Sequence, residues 1–210
     1  MTRTPDRTRT LVIDTATAAC SVALFEGGRL IAHTHDVVGR GHAERLVPMI
    51  AALPDGGRAG RVLVDVGPGS FTGIRVGIAA ARALAFGWSA EVAGYGAPSL
   101  VAVAALADDP APLAVVMEGG HGEVFMQGFV APFAALDAAR SLTPAAALAA
   151  LDGRRAIGSG TRWLAALDAA VPVDETLPDA RHALLLPDQA RALPPAPFYG
   201  RAPDAKLPAA

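Results

Sequence analysis

Asp14-Thr15-Ala16-Thr17 places a carboxylate and two hydroxyls in a tight turn at the end of an apolar run. Backbone amides and hydroxyls in such a turn can meet a phosphate, and the carboxylate can hold a hydrated Mg²⁺. The same residue types also satisfy their own turn amides, so the turn alone leaves both readings open. Gly67-Pro68-Gly69-Ser70-Phe71-Thr72-Gly73 precedes a helical pattern and looks like an anion cradle, because free amides face outward at a helix N-terminus. It lacks the lysine of a GKS or GKT ending, which excludes a P-loop. Ser70 has Pro68 and Thr72 two places away, so the GxSxG frame of a hydrolase elbow is missing.

His33 and His35 share one face of a strand and could supply two metal ligands, with His42 a conceivable third. No carboxylate or cysteine completes that spacing, so they read as solvated edge-strand histidines and no metal site is expected. His121, between Glu118 and Glu123, could do acid and base work, but no nucleophile is spaced to join it. Cys20 stands alone, which excludes an internal disulfide and gives no support to an oxidising compartment. A cytoplasmic location is expected.

The chain has 210 residues, 52% hydrophobic and 18% charged, with 18 Lys+Arg against 20 Asp+Glu. That is room for one large domain or two lobes with a packed core, and the composition excludes wholesale disorder. A formal charge of -2 provides no broad cationic surface for binding nucleic acid unaided. The apolar excess is mostly alanine, and no stretch resembles a signal peptide or a membrane span.

The elements that must position these residues follow from the pattern. Leu11 to Ile13, Ser21 to Phe25 and Leu30 to Thr34 read as an antiparallel meander, and Val62 to Val66 as a further buried strand. His42 to Leu53 carries Leu46, Met49, Ile50 and Leu53 at helical spacing, and Ser70 or Thr72 can cap a helix reaching Trp88. From Leu113 the opening repeats: an apolar strand ending in Glu118, a glycine turn, and a returning strand from Val124 to Val130. We therefore expect an α/β protein with residues 1–10 as a disordered leader, an N-terminal lobe at 11–109, a C-terminal lobe at 110–193 and a proline-rich tail at 194–210. Eight of the 17 prolines lie from Pro172 onward, so this end should run extended over the surface.

Gly73, Gly77, Ala81 and Ala85 recur every four places on the long helix, where glycine otherwise costs about 1 kcal/mol relative to alanine. Such a stripe suggests close approach by another backbone, either a partner helix or the protein's own sheet.

Three stretches together carry a resemblance: Asp14-Thr15-Ala16-Thr17 with Cys20 to Leu24, His42 to Ile50, and Gly67 to Gly77. They resemble the TsaB (YeaZ) family, and Tyr199 to Leu207 is similar to its C-terminal signature. The resemblance implies a two-lobed actin-like or Hsp70-like (ASKHA) fold with duplicated βββαβα lobes, the second reduced. It implies a non-catalytic scaffold subunit in bacterial tRNA threonylcarbamoyladenosine biosynthesis, binding the catalytic paralogue TsaD as a heterodimer, with the ATPase TsaE, and with tRNA reached through the complex. The metal-binding His-x-x-x-His of that paralogue is replaced here by Ser99-Leu100-Val101-Ala102-Val103, so catalysis is expected in the partner. The expected interface is a four-helix arrangement using Leu46, Met49, Ile50, Ile74, Gly77, Ile78 and Ala81, which also serves a homodimer when the chain is alone. No cofactor is expected in this chain itself; ATP or ADP with Mg²⁺ is a candidate at the lobe cleft or partner interface, with Asp14, Thr15 and Thr17 as phosphate ligands. The rival reading is a nucleotide-dependent phosphotransferase, or a peptidase, of the same fold. Three features depart from the family pattern: a short link at 51–66, Glu118-Gly119-Gly120 opening the second hairpin, and Tyr199-Gly200-Arg201 in the tail.

Overall fold

The computed structural model describes residues 8–200. Five strands form the first sheet: β1 (Arg9–Asp14), β2 (Ala19–Glu26), β3 (Arg29–Val37), β4 (Arg61–Asp65) and β5 (Glu91–Tyr95). Their order is β3-β2-β1-β4-β5, with the meander antiparallel and β4 and β5 added in parallel. Parallel pairing needs crossovers, and these are the helices α1 (His42–Ala51) and α2 (Phe71–Trp88). Ser70 caps α2 as expected, its hydroxyl accepting from the Gly73 amide at 3.2 Å.

The second sheet repeats the plan. A helix, α3 (Ala97–Asp108), leads into β6 (Leu113–Glu118), β7 (Val124–Val130), β8 (Ala134–Ala135) and β9 (Arg140–Leu142). Then follow α4 (Pro144–Ala149), β10 (Arg155–Ile157), α5 (Thr161–Ala165) and β11 (Val173–Asp174). β7 lies antiparallel to β6, β8 and β9, while β10 and β11 are added in parallel, matching the first lobe apart from the extra short strand β8. The expected duplication is thus present, each βββαβα unit continued by one more strand, and the second lobe has the shorter elements.

Alternation along the strands sets the faces. Leu11, Ile13, Cys20, Val22 and Leu24 pack under α1 and α2, whereas Val12, Ala23 and Leu63 pack on the other side with Tyr95 and Leu100. α3 is apolar nearly all round because it lies between the sheets, with Leu100 and Val103 on the first and Val101, Ala102 and Ala105 in the cluster that includes Leu113, Val115 and Phe129.

Two segments run across the expected lobe boundaries. β1 starts at Arg9, inside the segment read as a leader, whose residues 1–7 lie outside the described part. The C-terminal segment, read as second lobe to 193, leaves that lobe after β11 and returns to the first. Ala180 and Ala183, on a 3-10 turn at Ala180–Leu185, and Leu186 directly after it fill the face formed by Val12, Ala23 and Tyr95. Leu193 and Gly94 exchange backbone hydrogen bonds of 3.0 and 2.7 Å, and the Phe198 amide bonds to the Val66 carbonyl at 2.8 Å. Proline excludes regular structure, but apolar burial and these bonds hold the extended chain in place. Residues 201–207 of the expected tail signature lie outside the described part.

Candidate functional site

β1 and β4 are parallel neighbours, Ile13 opposite Val64, and both end in aspartate. Asp14 and Asp65 are therefore brought together at the carboxyl ends of the strands, fully buried. The phenol of Tyr95, also fully buried, lies 3.2 Å from Asp14 Oδ2 and 3.0 Å from the Ile13 carbonyl. Asp65 Oδ1 accepts from the Gly67 amide at 2.7 Å. Burial pushes the Asp14 carboxyl up to about 6, against the hydrogen bonds from Asp65, Ala16 and Tyr95. Burial and the Asp14 charge push Asp65 well above the usual carboxylate range. Two buried carboxyls that both titrate high favour the state in which at least one of them is neutral.

Of the three residues considered from sequence as phosphate ligands, two are turned into the protein. Asp14 and Thr15 are buried at 0% and 1% exposure, and the Thr15 hydroxyl donates to the Gly73 carbonyl at 2.8 Å. Only Thr17 faces the cleft between the lobes, and its hydroxyl accepts from the Ala19 amide at 3.2 Å. The glycine loop is likewise turned inward: the Ser70 amide bonds to the Ala16 carbonyl at 2.7 Å, and a Cβ at Gly69 would lie 2.2 Å from that oxygen. These glycines bring α2 against the β1 turn. The adjoining cavity of about 530 Å³ is lined by Thr17, Ser70, Glu118, His121 and Tyr199 among others.

The seven residues expected at a partner interface are all buried in the monomer. Leu46, Met49, Ile50, Ile74, Ile78 and Ala81 are at most 4% exposed, and Gly77 faces Thr15 and Val64. The small-residue stripe thus packs on the protein's own sheet, which leaves the opposite faces of the same helices outward. On α1 that face carries Ala43, Val47 and Ala51; on α2 it carries Ala79, Ala83 and Phe86, with Val47 61% and Phe86 90% exposed.

His33 and His35 lie on an edge strand as expected, β3, but are half-buried rather than solvated. They turn to the face of β3 that meets the C-terminal segment, where both approach Asp179. His42 Nε2 lies 3.1 Å from the Ala19 carbonyl. Cys20 is buried, and burial pushes its thiol up to about 11, the opposite of what a nucleophile needs. Sequence reasoning missed Asp65, Tyr95 and Asp179. The first carried a signal, since two apolar strand runs that both close on aspartate become neighbours if they pair in parallel.

Comparison with known proteins adds to this geometry. Residues 34–147 match the family model described as TsaD, tRNA N6-adenosine threonylcarbamoyltransferase. Over 103 residues the chain is 42% identical to tRNA threonylcarbamoyladenosine biosynthesis protein TsaB of Escherichia coli (strain K12), covering 46% of this chain and 42% of that one. TsaB of Haemophilus influenzae is 44% identical over 82 residues, 37% of this chain and 34% of its own length. The matched part is therefore less than half of either relative. Rv3421c of Mycobacterium tuberculosis is 32% identical over 210 residues, 93% of each chain. Among solved structures, YeaZ from Pseudomonas aeruginosa superposes with a TM-score of 0.78 at 26% identity, over 91% of this chain and 99% of that one. Another Pseudomonas aeruginosa structure, described as similar to peptidase YEAZ, gives 0.76 at 27% identity, over 92% and 100%.

Proposed function

The chain belongs to the family of the TsaD-type model it matches, within it to the TsaB (YeaZ) kind, and from that premise we propose that it is the accessory subunit of tRNA threonylcarbamoyladenosine biosynthesis. In this reading it binds a TsaD-type partner through the outer faces of α1 and α2 and leaves threonylcarbamoyl transfer to that partner. The observation that carries it is the pair of exposed apolar stripes, Ala43-Val47-Ala51 and Ala79-Ala83-Phe86, each at helical spacing on adjoining helices. An apolar face of that kind, crowned by a phenylalanine 90% exposed, suits a protein surface better than water.

The chemistry of the interior supports the accessory role. Asp14 and Thr15 are held by internal partners, Ser70 caps a helix, and the Cys20 thiol is buried and protonated. The stretch corresponding to the paralogue's histidine pair offers Ser99 and the buried Val103 on α3. TsaE and tRNA then join through the partner, and self-association through the same stripes occurs when the partner is absent.

The test is co-purification with the TsaD paralogue of the same organism, followed by threonylcarbamoyl transfer from threonylcarbamoyl-AMP to tRNA with and without this protein. A stable heterodimer, and transfer that depends on adding the chain, is the expected result. Failure to form that complex, together with turnover of ATP or a peptide by the chain alone that Asp14→Ala abolishes, would establish the enzyme reading instead.

A further inference from the structure

Asp179 has no place in the proposed partner surface, yet it is the meeting point of two histidines more than 140 residues away in the chain. Its side chain is 7% exposed, and those of His33 and His35 are 21% and 23% exposed. His33 Nε2 lies 2.8 Å from Asp179 Oδ1, and His35 Nδ1 lies 3.6 Å from Oδ2. Neither contact has the alignment of a hydrogen bond, and both ring nitrogens are shut off from water without such a bond. One ligand atom from each residue falls within a 4.8 Å sphere of separation. Two donors bound at about 2.1 Å to one tetrahedral ion stand roughly 3.4 Å apart, so small rotations of these side chains would bring the three atoms onto a single small cation.

From this geometry we infer that His33, His35 and Asp179 form a binding site for one divalent transition-metal ion, of the zinc class, joining β3 to the C-terminal segment. Imidazole nitrogen with a single carboxylate selects Zn²⁺, Co²⁺ or Ni²⁺ over Mg²⁺, which prefers oxygen and retains its water. The register supplies the pair of histidines: His33 lies opposite Ala23 and His35 opposite Ser21, so both point to the same side of the sheet. Asp179 is fixed from behind, with Oδ1 accepting from the Arg181 amide at 3.0 Å and the Ser21 hydroxyl at 3.4 Å. Arg181 Nε lies 2.9 Å from Oδ2, but its side chain is half exposed and can yield that oxygen or share the carboxylate. The three residues line a second cavity of about 530 Å³, together with Thr176, Arg162 and His182 among others, so a bound ion would be open to exchange from that side. Three protein ligands with an open fourth position make an exchangeable site rather than a closed structural one.

The inference does not depend on the proposed partner. It is tested on the full chain, stripped with chelator and titrated with Zn²⁺ alone by calorimetry and thermal melting, with Mg²⁺ in parallel. One Zn²⁺ per chain and a raised Tm, with no response to Mg²⁺, are expected. His33→Ala and His35→Ala should each weaken Zn²⁺ affinity tenfold or more, whereas His121→Ala should leave it unchanged. Because Asp179 also caps a turn, the two histidine variants carry the test, and circular dichroism confirms that each is folded. No saturable Zn²⁺ binding, or binding equally strong in both folded histidine variants, would overturn the site.

Discussion

The Thr15 hydroxyl donates to the Gly73 carbonyl at 2.8 Å, and the same turn of α2 leaves no room for side chains toward β1. A Cβ on Gly73 would lie 2.0 Å from the Thr15 carbonyl oxygen, and one on Gly77 2.4 Å from the Thr15 hydroxyl. The glycines of the stripe are thus required by the monomer's own packing.

Gly77→Ala should accordingly destabilise the isolated chain. In an exposed helix the change would gain about 1 kcal/mol. Here it should lose about 1–3 kcal/mol, because the methyl displaces a buried, hydrogen-bonded threonine. Urea denaturation measures this, and a gain in stability would mean that the β1 turn yields freely.

The Asp14–Asp65 pair makes a pH prediction. Both carboxyls are raised above the ordinary carboxylate value of about 4, Asp14 to about 6, chiefly by burial. Between those values the folded chain binds more protons than the unfolded one, so this contribution is fully present below about pH 4 and is lost as pH rises through 6. In Asp65→Asn the carbonyl can still accept from Gly67, and the new amide can donate to Asp14. That variant should match the parent near pH 4, exceed it at pH 8 and show a flatter profile. Parallel denaturation profiles for the two proteins would refute the raised titration of the pair.

Charging the outward faces should separate association from folding. Val47→Asp and Phe86→Asp alter side chains 61% and 90% exposed, so Tm should move little. Each should weaken retention of the TsaD-type partner tenfold or more in a titration, by stranding a charge in an apolar contact. Retention of full affinity by both variants would place the interface elsewhere.

The C-terminal segment is pinned by Arg75. Its guanidinium lies 3.7 Å above the Phe71 ring, its Nε donates to the Tyr199 hydroxyl at 2.9 Å, and the Phe71 and Tyr199 rings stack at 5.1 Å. Arg75→Ala should cost about 0.5–1 kcal/mol and speed proteolysis after residue 193. Lysine should restore little of this, since it lacks the planar group that stacks on the ring. An unchanged cleavage rate in the alanine variant would show that the Leu193 and Phe198 backbone bonds suffice.

Much of the fold was legible along the chain. Apolar runs at 11–13, 62–66 and 113–117 became β1, β4 and β6, Ser70 became the cap of α2, and the echo of the opening at Leu113 became a second sheet with the plan of the first. The residues expected at a partner interface were not legible as inward-facing: Leu46, Ile74 and Gly77 are buried, and the proposed interface moves to the outward stripes of the same helices.

Periodicity and turn chemistry are local, so the order of residues alone determined where strands and helices form and that one face of each is apolar. Which surface each face meets depends on contacts between distant segments, and these exist only after the crossovers are folded. α2 has two apolar stripes, and the close approach of the β1 turn decided that the small one is buried. The parallel pairing of β1 with β4 brought two aspartates together, and the return of residues 179–198 to the first sheet carried Asp179 to His33 and His35. No spacing in the chain encodes such meetings, because burial of apolar surface over the whole molecule fixes them.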